Sequence, residues 1–90
     1  MGRRVVIGAG RSGLSAAAYL ANAGEDVVVN ERQGMPGDPV IAKLAAIGVP
    51  GVWGDHPLSL LEDCEEVILS PGVSPSIPFV KEALRRGISV

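Results

Sequence analysis

Apolar residues in this chain gather into short unbroken runs, separated by stretches in which they recur every three or four positions. Residues 3–8, Arg-Arg-Val-Val-Ile-Gly, carry β-branched side chains without polar alternation and stop at a glycine. That is the pattern of a strand buried on both faces, as in a parallel sheet. From Ser12 to Ala23 the apolar positions Leu14, Ala17, Ala18 and Ala21 follow i, i+3, i+4, i+7, and Gly24 stands where a helix end favours a left-handed residue. The spacing predicts a helix. Asp26 to Asn30 repeats the buried-strand signature and completes a βαβ unit, and the loop Gln33 to Pro39, with two glycines and two prolines, breaks regular structure.

The alternation continues. Residues 40–47 place Val40, Ile41, Leu44, Ala45 and Ile47 at helical spacing ahead of Gly48, and Val49 to Trp53 read as a short third strand. Pro57 to Leu61 reads as a short helix, Glu65 to Leu69 as a fourth strand, and Ser70-Pro71-Gly72 as a tight turn at that strand's carboxyl end. A last helix starts near Pro78, presents Val80, Ala83 and Leu84 on one face, offers Glu82 and Arg86 as an i, i+4 pair, and ends at Gly87. Ile88-Ser89-Val90 then begins a fifth strand that the end of the chain cuts short, as in an excised domain. The expected architecture is a three-layer α/β fold with a parallel sheet of about five strands, the last truncated.

Composition narrows the function classes. Ninety residues make one small domain, and a hydrophobic fraction of 47%, 20% charged residues and a mean hydropathy of +0.31 argue for a packed core. With 3% aromatic residues, Val, Leu, Ile and Ala must fill it. A net charge of −2 and a pI near 5.2 give no field to draw nucleic acid or an anionic membrane, so any anion site is local. The single cysteine, Cys64, forms no intramolecular disulfide, which suits a reducing cytoplasm, and Cys64 with His56 makes no metal cluster. The start, Met1-Gly2-Arg3-Arg4, precedes an apolar run too short for a signal peptide, and no run approaches the roughly 20 residues of a membrane span.

The candidate chemistry lies in Gly8-Ala9-Gly10-Arg11-Ser12-Gly13, a GxGxxG that follows a strand, opens a helix and sits inside a βαβ unit. The first glycine permits the tight turn, the second lets backbone approach a phosphate, and the third lets helix and strand pack closely. First-turn N–H groups lack intrahelical acceptors and the helix dipole adds roughly half a positive charge there, so a diphosphate is favoured. Arg11 and Ser12 add side-chain donors. About 20 residues beyond, dinucleotide-binding units place an acid for the ribose hydroxyls. Asn30 occupies that place here, with an amide able to donate and accept, and Glu31 reads equally as a second candidate or as a solvated acid beside a solvated Arg32.

Other chemistry-bearing residues read as structural. His56 follows Asp55 in a polar turn with no nucleophile or ligand set nearby, which is the setting of a surface histidine. Cys64 precedes a buried strand and reads as packing, and Trp53, at a strand end, reads as partly buried core rather than as a base-stacking platform. Glu62, Asp63, Glu65 and Glu66 form a solvated acidic face, and Arg85 and Arg86 complement a helix dipole.

Taken together, the glycine turn, "VVVNER", "VWGD" and "LSPGVSPSIPFVKEALRRGISV" resemble the N-terminal domain of the Mur ligase family over nearly the whole chain, most specifically in Ser70-Pro71-Gly72 followed by a Pro-started helix and "RRGISV". The resemblance implies a Rossmann-like sheet holding the UDP part of UDP-N-acetylmuramoyl-L-alanine in peptidoglycan synthesis. It implies further that Arg11 and Ser12 face the diphosphate, that Asn30, Glu31 and Arg32 lie near the uracil, and that Gly54 and Ser70-Pro71-Gly72-Val73 line the other side of the cleft. The family commonly has Asp where this chain has Asn30.

The family's reaction forms an acyl phosphate from ATP, which the amino group of an amino acid then attacks. The 90 residues contain no GxxxxGK[ST] run, and their only lysines, Lys43 and Lys81, sit on predicted helix surfaces. The expectation is therefore a cytoplasmic substrate-binding module, inactive alone, with ATP and magnesium handled by a central domain and the amino acid by a C-terminal one. Two other classes share the glycine fingerprint: a nicotinamide-nucleotide-binding domain of a dehydrogenase or regulatory ion-transport protein, and an α/β module whose turn binds nothing.

Overall fold

A computed structural model describes residues 2–32 and 39–90; the loop expected over Gln33 to Pro39 lies outside the described residues except for Pro39, which opens a helix. Strand β1 (Arg3–Ile7) leads into helix α1 (Arg11–Asn22), then β2 (Val27–Glu31), α2 (Pro39–Ala46), β3 (Gly51–Trp53), a 3-10 turn over Leu58–Leu61, β4 (Cys64–Leu69) and α3 (Pro78–Arg85). The four strands form one all-parallel sheet in the order β3-β2-β1-β4. The first strand in sequence thus lies inside the sheet, where Val6 pairs with Val29 on one side and Ile68 on the other.

Burial on both faces explains the unbroken apolar runs. Val5 and Ile7 point to the face covered by α3 and the 3-10 turn, packing with Val28, Leu60, Leu61, Val67, Phe79 and Ala83. Val6 points to the opposite face, with Ala17 of α1, Val27, Val29, Leu44 of α2 and Val49. Val5, Val6 and Ile7 are fully buried, and each such side chain contributes about 1.5–3 kcal/mol through the surface it removes from water. No helix among the described residues is long and apolar enough to cross a membrane.

Beyond shifts of one residue at other ends, three predicted elements differ, and two of them differ because a backbone group is used elsewhere. The third strand begins at Gly51 rather than Val49. Gly48 takes φ +72°, the Val49 N–H folds back to the Leu44 carbonyl at 3.0 Å to close α2, and Pro50 has no N–H to give a ladder. The short helix expected over Pro57 to Leu61 is a single 3-10 turn. The fifth strand is reduced to one bridge, Ser89 to Glu66, with the Val67 N–H donating to the Ser89 carbonyl at 2.8 Å. The Ile88 N–H closes α3 on the Ala83 carbonyl at 2.9 Å instead.

At the amino ends of the strands Arg4 gathers the acidic residues. It hydrogen-bonds Glu25 and lies 3.3 Å from Glu66 and 3.6 Å from Glu65. The solvated acidic face expected from Glu62, Asp63, Glu65 and Glu66 is therefore partly engaged by a cation, and no cluster of three metal-ligating side chains occurs among the described residues.

Candidate functional site

The carboxyl ends of the strands open onto a cleft of about 650 Å³, within the size range of small-ligand sites. It lies where the order of strands reverses, β1 feeding β2 on one side and β4 standing on the other, the usual ligand position in open parallel sheets. Of the candidates read from the sequence, Gly8, Gly10, Ser12, Glu31, Arg32, Ser70, Pro71, Gly72 and Val73 line it.

The glycine turn is built by steric necessity. Gly8 sits at φ +100°, and a Cβ there would meet the Ser70 side chain at 2.8 Å. Gly13 lies against the Gly8 carbonyl, so that α1 can start directly behind β1. Gly10, by contrast, is the N-cap of α1 and has nothing within 4 Å of its would-be Cβ. Gly10 has no side chain with which to cap this helix end, the first turn itself contains no acidic residue, and Ser12 is exposed beside it. The positive end of the dipole and the first-turn amides therefore face the cleft. Arg11 begins the helix backbone, and its side chain lies outside the described residues.

At the tip of β2, alternation sends consecutive residues to different duties. Glu31 lines the cleft, and its Oε1 accepts the Ala9 N–H at 2.8 Å, tying the glycine turn to β2. Asn30 points with Val28 toward the α3 face and is fully buried, beneath the cleft rather than on its wall. Its Nδ2 donates to the Val52 carbonyl at 2.9 Å and its Oδ1 is hydrogen-bonded to His56 Nδ1. Arg32 is an exposed rim cation, 3.8 Å from Asp55. Gly54, at φ +106°, donates its N–H to the Glu31 carbonyl at 2.9 Å and turns the chain toward His56 without lining the cleft.

The opposite wall follows β4. Ser70 donates its N–H to the Ile7 carbonyl at 3.0 Å and its Oγ to the Gly8 carbonyl at 3.2 Å, clamping the two turns together, and Val73 N–H closes back on the Ser70 carbonyl at 3.0 Å. Gly72 does not adopt positive φ.

His56 is not the surface residue expected. It is half-buried, lines the cleft, is bonded to Asn30, and its ring lies 6.0 Å from that of Phe79. The overlooked signal was its place in the turn that follows a parallel strand, three residues past Trp53, which puts it at the ligand edge. Ile7, Ser74 and Ile77 also line the cleft. Trp53 packs on the core below α2 and Cys64 on the core below α3, as read from the sequence. Burial pushes the Cys64 thiol up, away from the reactive thiolate.

Comparisons with known proteins bear on the family and the fold. The family described as "Mur ligase MurD-like, N-terminal domain" matches residues 2–90. The chain is 41% identical over 86 residues to the UDP-N-acetylmuramoylalanine--D-glutamate ligase of Halalkalibacterium halodurans, covering 96% of this chain and 19% of that protein. It is 37% identical over 91 residues to the ligase of the same name from Shouchella clausii, covering 100% of this chain and 20% of that protein. The chain thus spans about a fifth of the length of the curated relatives it matches. Among solved structures, it superposes with a TM-score of 0.76 and 21% identity on UDP-N-acetylmuramate:L-alanyl-gamma-D-glutamyl-meso-diaminopimelate ligase from Neisseria meningitides, covering 99% of this chain and 28% of the other. A C2-type ketoreductase from a modular polyketide synthase superposes at 0.54 with 22% identity, covering 94% of this chain and 22% of the other.

Proposed function

This chain belongs to the MurD-like N-terminal domain family of Mur ligases, and on that premise we propose that its cleft holds the uridine diphosphate part of UDP-N-acetylmuramoyl-L-alanine for an ATP-dependent ligase that adds D-glutamate. The observation that carries the reading is that α1 starts at a glycine N-cap, Gly10, whose would-be Cβ has nothing within 4 Å. A diphosphate laid across Gly10 meets first-turn amide hydrogens and the positive dipole end, with the Ser12 hydroxyl adjacent. The nucleoside then extends toward the tips of β2 and β3, where Glu31 and Arg32 stand at the wall. Ser70 clamps the turn that carries the anion to the β4 side.

The chain's own part is to bind and orient. It has no P-loop lysine, and no step of ATP chemistry is assigned to its residues. Acyl-phosphate formation and amino-acid attack belong, under this reading, to the parts of the ligase that correspond to the remainder of the relatives' length.

Titrating the chain with UDP, NAD and NADP at matched concentrations, and following backbone amide shifts, tests the proposal. UDP is expected to bind in preference to both dinucleotides and to move Gly10 and Ser12 most. Equal or stronger binding of NAD or NADP at the same amides would overturn it in favour of a nicotinamide-nucleotide domain.

A further inference from the structure

The hydrogen bonds around His56 fix which of its ring nitrogens bears the proton. The Val52 carbonyl can only accept, so the Asn30 amide must turn its Nδ2 toward it, at 2.9 Å, and its Oδ1 toward His56. Facing an acceptor, His56 Nδ1 carries the hydrogen. In the neutral ring Nε2 is then a bare lone pair on the side away from Asn30. Asn30 is fully buried and Phe79 is 2% exposed, so the partner below and the ring alongside are both immobilised by the core. His56, which lines the cleft, thus has the tautomer of its neutral ring set before any ligand arrives.

Such a group separates nucleobases by the hydrogen they carry. We infer that His56 is a specificity-determining residue whose Nε2 accepts the ring N3–H of uracil; this rests on the reading that the cleft holds uridine diphosphate. Uracil presents a donor at that ring position, whereas cytosine presents a lone pair, which would face the Nε2 lone pair with neither side able to bridge. Asn30, where an acid would serve as the acceptor, instead acts through His56 as a positioning residue.

Isothermal titration of the chain with UDP, CDP and inorganic pyrophosphate tests this directly. The wild-type chain is expected to prefer UDP to CDP by about tenfold or more, the scale of one buried hydrogen bond lost together with an unpaired group left behind. His56→Phe should bind UDP and CDP alike while its pyrophosphate affinity stays unchanged. Retained preference in His56→Phe, or no preference in the wild type, overturns the inference. Long-range ¹H–¹⁵N correlation of the imidazole gives a second decision that needs no variant: Nδ1 protonated supports it, Nε2 protonated overturns it. If UDP binds no better than pyrophosphate, this inference falls while the anion site stands; if neither binds, the proposed function falls and takes this inference with it.

Discussion

Gly13 faces the carbonyl oxygen of Gly8 so closely that an added Cβ would stand 2.0 Å from it. The contact is between two backbones, so no side-chain rotation relieves it. Gly13→Ala is expected to destabilise the chain by about 2 kcal/mol, an overpacking penalty that exceeds the roughly 1 kcal/mol of helix propensity alanine adds. Urea denaturation should show a lower midpoint with an unchanged slope.

Gly10 gives the opposite result. Nothing lies within 4 Å of its would-be Cβ and its φ of −72° suits any residue. Gly10→Val should therefore change stability by no more than about 1 kcal/mol, the size of an N-cap effect. UDP affinity should fall by about tenfold or more as the valine fills the approach to the amides. The pair of substitutions, read by denaturation and by titration, separates a glycine kept for packing from one kept for a ligand.

Asn30→Ala removes the buried partner of both the Val52 carbonyl and His56 Nδ1. The expected loss is about 2 kcal/mol, mostly from polar groups left unpaired. The His56 ring signals should broaden or shift toward a mixture of tautomers, measured by the same imidazole correlation as above.

Acid should act on α3. Glu82 receives hydrogen bonds from Arg85 at 2.6 and 2.8 Å and from Arg86 at 2.7 Å, and these guanidinium donors hold its carboxyl at about 2 instead of the ordinary 4.5. A carboxyl depressed in the folded state stabilises it fully above its unfolded pKa, and that contribution is lost as pH falls from 4.5 toward 2. Glu82→Gln should melt below wild type at neutral pH and converge with it in strong acid. Added salt should shrink the neutral difference, because the arginines are exposed.

Most of the fold was legible because parallel strands buried on both faces leave unbroken apolar runs, as in residues 5–7 and 27–29. What escaped was set by which partner each group takes. Val49 and Ile88 look like strand residues until their N–H groups are seen closing α2 and α3. The glycine turn could be located from sequence since its geometry is local. The duties of Asn30 and His56 could not, because 26 residues separate two side chains whose roles exist only as a pair. Glu31 was equally ambiguous until its bond to Ala9 was in view.

Ser70 Oγ reaches the Gly8 carbonyl across 62 residues of chain, and that clamp has a kinetic consequence. Interior strand β1 gains one neighbour early, from β2, but its other flank stays unpaired until β4 arrives. Such long-range pairing folds slowly. The glycine turn is therefore finished late, and during synthesis the central strand must wait for a partner that the ribosome has yet to deliver.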